Sequence, residues 1–157
     1  MDAASTGPLS ADHRSAGARL RGAGVRRTRP RLAVLELLGR VGGHRGVDEI
    51  GAALAAAGTP LPLTTVYNVV DDLTRAGLLM VADAGPGRSL YEVADGWHHH
   101  FVCRSCSRVV DVPCGPGAKP CVTPDLPDLE VDEASIIFRG RCSTCVATGV
   151  GDRPSLS

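Results

Sequence analysis

The segment His98-His99-His100-Phe101-Val102-Cys103-Arg104-Ser105-Cys106 sets three imidazoles and two thiols within nine residues, and Cys142-Ser143-Thr144-Cys145 repeats its C-x-x-C spacing further along the chain. Two such knuckles supply four soft thiolates, the tetrahedral set that zinc takes in closed structural sites. The competing readings are two disulfides or free buried thiols. Paired C-x-x-C motifs in an intracellular chain are metal or redox motifs first. If the histidine run is extended, the two-residue period of a strand sends His98 and His100 to one face and His99 to the other. His98 and His100 can then share a metal that the cysteines do not use.

With 157 residues, the chain suffices for one ordinary domain or two small ones that need a staple such as zinc. The formal net charge of zero argues against a binder of polyanions along its whole surface. The charge is unevenly distributed, however. Arg14, Arg19, Arg21, Arg26, Arg27, Arg29 and Arg31 fall in one run with no acid between them. That run is either a basic face for phosphates or a solvated arm. No apolar stretch is long enough to span a membrane and no apolar signal region follows Met1, so a cytoplasmic protein with six reduced cysteines is expected.

Four elements with helical patterning precede the histidines. The first is weak, from Ala11 to Leu20. The second carries Thr28 as cap, Pro30 in its first turn, an apolar stripe through Leu32, Leu35 and Leu38 with Val34 and Val41, and a stop at Gly42-Gly43. In the third, Val47, Ile50 and Leu54 follow the helical period behind the acidic first turn Asp48-Glu49. The fourth, Thr64 to Leu73, turns Val66, Val69, Val70 and Leu73 inward and Thr65, Tyr67, Asn68 and Arg75 outward. The period then changes to two. Leu78–Val81 and Ser89–Val93 read as strands joined by a turn-forming tip that carries Arg88.

Short helices closed by a hairpin make a winged helix-turn-helix, whose last helix enters the major groove of double-stranded DNA while the wing touches its backbone. A helical bundle with an appended hairpin and no DNA role fits the pattern equally. Beyond Trp97 the chain is β-like, with strand patterns at Phe101-Val102, Val109–Val112 and from Leu129 to Phe138; the proline-rich stretch from Pro113 to Pro127 reads as loop or edge. A sheet this small, with an exposed edge, is expected to form a homodimer. The expected fold is therefore α+β, with a winged helix-turn-helix domain (13–94) followed by a zinc-stapled α/β dimerisation domain (95–148). Flexible tails are expected at 1–12 and 149–157.

Taken together, Thr28-Arg29-Pro30-Arg31-Leu32-Ala33-Val34-Leu35, His44 with Asp48-Glu49-Ile50, Thr65-Val66-Tyr67-Asn68, Tyr91-Glu92, the histidine and cysteine segment, Val110-Asp111 and Gly140-x-Cys142-x-x-Cys145 resemble the ferric uptake regulator (Fur) family over roughly residues 15 to 147. Cys114 and Cys121, followed by Val131-Asp132-Glu133-Ala134, resemble its actinobacterial FurA/CatR branch, whose members repress a catalase-peroxidase and answer iron and peroxide.

The resemblance implies a transcriptional repressor rather than an enzyme, with two metal sites per subunit. Structural Zn2+ falls to Cys103, Cys106, Cys142 and Cys145, and a regulatory Fe2+ or Mn2+ to His44, Glu92, His98, His100 and Asp111. A shell of nitrogen and carboxylate donors suits those ions better than thiolates would. Read singly, His44 is more often a loop histidine than a ligand, Asp111 a solvated strand residue and Glu92 a surface charge at the hinge. An inverted-repeat operator would be met by Tyr67, Asn68 and Thr65, with Arg19, Arg27 and Arg88 on phosphates. Cys114 and Cys121 are either a redox pair or idle.

The chain departs from the family pattern in three places. Pro62 stands where a serine usually precedes the recognition helix. Trp97, Asp132 and Glu133 stand where a further histidine site would be. Glu92 stands where dedicated peroxide sensors tend to carry aspartate. The alternatives are an iron-only or zinc-responsive uptake repressor, a thiol-disulfide oxidoreductase, which lacks a βαβ pattern around either knuckle, and a zinc-ribbon interaction module that reads no DNA.

Overall fold

A computed structural model describes residues 15–85, 87–96, 98–113, 130 and 136–149. The chain divides into two compact units, Met1–Ala82 with Gly87–Gly96 and Asp83–Pro86 with Trp97–Ser157. Among the described residues no helix is long and apolar enough to cross a membrane.

The first unit is built from α1 (Ala16–Gly22), α2 (Arg29–Val41), α3 (Val47–Ala56), α4 (Leu63–Arg75) and the hairpin strands β1 (Leu79–Asp83) and β2 (Ser89–Val93). Local chemistry accounts for the helix starts. Ser15 accepts from the Ala18 N–H and Thr28 from the Arg31 N–H, while Glu49 reaches back to the Gly46 N–H at 2.7 Å. Among the described residues α1 begins at Ala16 behind the Ser15 cap, and the part of its expected span from Ala11 to Arg14 lies outside them. Pro62 caps α4 with its carbonyl alone, accepting from the Thr65 and Val66 N–H groups, so the helix starts without the usual serine. Leu20, Val34, Leu38, Ile50, Leu54, Val66, Val70 and Leu73 are almost wholly buried and form the core. Their burial follows the 3.6-residue period read from the sequence, except in α2, where Val41 at the last turn is exposed and Leu37 is buried in its place.

The second unit holds β3 (His98–Cys103), β4 (Val109–Pro113), β5 (Ile137–Gly140) and α5 (Ser143–Ala147). Its sheet has the order β4-β3-β5, with β4 antiparallel and β5 parallel to β3. Pro113 closes β4, an edge strand where its missing N–H costs no ladder bond. The short helix α5 has no counterpart in the sequence reading, since five residues are too few to display a helical period. Gly140 allows the ring of Phe101 to lie over it, for a Cβ there would come within 3.1 Å of the ring.

Residues 1–12, Trp97, most of the proline-rich stretch with Cys114 and Cys121, and Leu129, Val131, Asp132, Glu133 and Ser135 lie outside the described residues. The expected C-terminal tail does too, beyond Gly149.

Candidate metal centres and nucleic-acid face

The four knuckle cysteines meet in the second unit. Cys103 ends β3, and the following turn carries Cys106, with Ser107 in the left-handed region at φ 60° before the chain re-enters β4. The Ser107 N–H bonds the Cys103 carbonyl and the Cys103 N–H bonds that of Arg108, which closes the turn. Cys142 is the residue before the first turn of α5 and Cys145 lies within that turn, so one turn of helix brings both thiols to the same side.

All four Sγ atoms lie within 4.8 Å of one another, and Cys106 and Cys142 are 3.8 Å apart. A disulfide needs about 2.05 Å, and the four thiols are free. A tetrahedron around an ion with bonds of about 2.3 Å has edges of about 3.8 Å, so the spacing fits zinc.

The electrostatics favour thiolate at Cys103 and Cys142. The Cys142 N–H donates to Cys103 Sγ at 3.3 Å and is the main cause holding the Cys103 thiol down at about 6, against the opposing effect of burial. Cys142 is lowered by the Cys145 N–H at the start of α5. Cys145 is pushed up to about 12, first by the neighbouring Cys142 sulfur and then by burial. That upward push comes first from a thiol proton shared with the Cys142 sulfur, and a cation among the sulfurs would take the place of that proton, as metal ligation requires.

The nitrogen and carboxylate donors form two groups, one in each unit. In the first unit, Arg45 and Tyr91 form an antiparallel bridge, Arg45 N–H to Tyr91 carbonyl at 3.0 Å and Tyr91 N–H to Arg45 carbonyl at 2.8 Å. Their neighbours His44 and Glu92 are thereby opposed, Nε2 to Oε1 at 3.3 Å, and both side chains are only 8% exposed. In the second unit His98 and His100 share a face of β3, as the strand period predicts, with ring centroids 4.9 Å apart. Asp111 is the register partner of His100, and its Oδ1 lies 3.6 Å from His98 Nε2. His99 takes the opposite face, 6.5 Å from the Phe138 ring. Imidazole and carboxylate without sulfur is a donor set for iron or manganese rather than for a closed zinc site.

On the first unit, Tyr67 is 51% exposed on α4 and Asn68 is exposed beside it, with Thr65 half-buried and Arg88 exposed at the root of β2. Arg27 is exposed too. Arg19, expected on phosphate, is held differently: its guanidinium donates to the Asp95 carboxylate and to the Ala94 carbonyl, and its side chain is 11% exposed. Arg31 is likewise engaged, by Asp72 and the Arg26 carbonyl. Neither engagement was visible from the basic run, since both acids are remote in sequence.

A model of the ferric uptake regulator family matches residues 22–114. The chain belongs to the ferric uptake regulator family. It is 40% identical over 129 residues to the transcriptional regulator FurA of Mycobacterium tuberculosis, covering 80% of this chain and 86% of the relative. It is 38% identical over 121 residues to ferric uptake regulation protein 1 of Mycolicibacterium fortuitum, covering 76% and 74%. Among solved structures it is similar to the ferric uptake regulator of Pseudomonas aeruginosa with manganese, with a TM-score of 0.66, 25% identity and coverage of 83% of this chain and 99% of that one. As a Fur-family protein it is a metal-responsive, DNA-binding transcriptional repressor and not an enzyme, with the α+β organisation expected from its sequence. Regulators of this family act as DNA-binding dimers.

Proposed function

We propose that this Fur-family chain is a homodimeric repressor of the cytoplasm that holds structural zinc on Cys103, Cys106, Cys142 and Cys145 and senses iron(II) or manganese(II) on a second site, releasing its operator when peroxide arrives. The second site joins His44 and Glu92 of the helical unit to His98, His100 and Asp111 of the sheet unit. The observation that carries this reading is chemical: among the described residues neither donor group contains a sulfur, whereas four sulfurs cluster elsewhere. That division favours iron or manganese sensing over zinc sensing.

In this reading the domains are 13–94 and 95–148. Because the donors come from both, an ion held by them would restrict their relative freedom, and a dimer so restricted would match half-sites about one helical turn apart. Tyr67, Asn68 and Thr65 read bases while Arg27 and Arg88 hold phosphates. Arg19 is left out of that set because Asp95 already answers its charge.

Iron(II), if bound by these residues, would activate peroxide beside them; peroxide is the oxidant, one of its oxygens would enter the imidazole of His44 or His98 and the other would leave as water, and a ring so oxidised would no longer ligate. Catalase-peroxidase or other oxidative-stress genes are the expected targets. The test is mass spectrometry of iron-loaded protein after stoichiometric peroxide, with operator binding followed in parallel. Oxygen added at His44 or His98 supports the reading, and a Cys114 to Cys121 disulfide reversed by thiols assigns the response to that pair instead. Neither product, with DNA binding still following iron occupancy, leaves an iron-only repressor; DNA binding that follows zinc at the second site makes it a zinc-responsive one.

A further inference from the structure

We infer that Arg19 is a positioning residue for the regulatory metal: it ties down the exit of the DNA-binding unit and so presents Glu92 ready for an ion shared with His98. The inference rests on the proposed second site and goes beyond it in naming a residue that touches no metal.

Arg19 lies on α1, 73 positions before Glu92 in the chain. Its guanidinium nonetheless reaches the segment that leaves β2, donating to the Asp95 carboxylate and, at 3.0 Å, to the Ala94 carbonyl. The backbone of that segment is engaged as well. The Ala94 N–H bonds the Leu78 carbonyl at 3.0 Å and the Asp95 N–H bonds the Val93 carbonyl at 2.9 Å. The first residue past these restraints is Gly96, whose φ of 86° is open to glycine but disfavoured for other residues. Glu92 stands three residues before Asp95 and His98 three residues after it. The two donors thus flank the boundary between the two units, whose near side is clamped through Asp95.

Donors on either side of a joint surrender its freedom when they bind one ion, and each backbone residue already fixed lowers that cost by roughly a factor of ten in affinity. The clamp is also well sheltered, with the Arg19 side chain 11% and the Asp95 side chain 30% exposed. Loss of either partner leaves the other charge poorly answered, so the exit should open rather than find a substitute contact.

The experiment titrates manganese(II) into zinc-loaded, full-length protein. Arg19→Leu keeps an apolar stem against α1 and is expected to weaken the second manganese site by about tenfold. Asp95→Asn should weaken it as much, the double variant no further, and Arg19→Lys by less, since one ammonium replaces a two-pronged donor. Hydrogen exchange without manganese should speed up at Ala94 and Asp95 while the amides of α3 and α4 keep their rates, which separates positioning from loss of the fold. Wild-type manganese affinity in Arg19→Leu and Asp95→Asn, or weakening that adds in the double variant, overturns the inference alone. Wild-type protein that takes no manganese beyond its zinc overturns the proposed second site and this inference with it. Should Arg19→Leu fail to fold, Asp95→Asn decides by itself.

Discussion

Arg45 and Tyr91 exchange both backbone hydrogen bonds of an antiparallel bridge, and this pairing sets His44 opposite Glu92 at 3.3 Å just before α3 begins. The acidic side chain is buried, a position that is costly for a carboxylate unless a partner answers it. In our reading that partner is shared with a cation.

Replacing His44 by Ala should therefore lower affinity for manganese(II) by at least about 100-fold, the upper end of what loss of a supporting residue alone costs. Zinc content and the thermal midpoint of the helical unit should stay close to wild type, because His44 lies outside the apolar core. Calorimetric titration alongside thermal unfolding checks both halves. Unaltered manganese binding would remove His44 from the site.

Tyr67 and Arg88 should fail in different ways. Tyr67→Ala is expected to cost about 1–3 kcal/mol on the specific operator and little on random duplex, with no change in folding, since the ring is half-exposed and the core does not use it. Arg88→Ala should weaken every duplex alike and reduce the slope of log affinity against log salt by roughly one. Fluorescence anisotropy over a salt series distinguishes the two. Normal operator binding by Tyr67→Ala would mean that α4 presents another face to DNA.

Cys103→Ser or Cys142→Ser should release zinc and unfold the sheet unit, as the binding energy of a structural site is folding energy for so small a sheet. The helical unit, with its own core, should keep its helical circular dichroism. A variant that retains a full zinc complement would contradict the four-cysteine assignment.

Zinc uptake by metal-free protein should also depend on pH in a defined sense. Cys103 is lowered to about 6, so above that value it meets the metal already deprotonated, whereas Cys145, raised to about 12, must give up its proton at any pH near neutrality. For Cys103 the thiolate is favoured by the fold, so its contribution to metal-free stability is present above its ordinary value and is lost as pH falls through about 6. Zinc affinity should fall as pH drops and fall more steeply below about 6, where one more proton has to be displaced. Titration in buffers of different ionisation enthalpy counts those protons. An affinity independent of pH between 5 and 8 would rule out this description of the thiols.

By itself, the sequence determined what short-range rules control. The C-x-x-C spacing, the inward faces of α3 and α4 and all but the last turn of that of α2, and the two-residue period that parts His99 from His98 and His100 are all set within a few residues of chain, and the structure has each of them. The tertiary structure decided what depends on segments meeting from a distance. Arg45 finds Tyr91, β5 lies parallel to β3, and the charge of Arg19 is taken up by Asp95, across separations that no local period records. Even α5, which carries Cys145, was hidden for a related reason. A helix of five residues has too few turns to repeat a pattern, and isolated helices so short are not stable in water, so it is the surroundings in this unit, with Cys145 buried, that hold it.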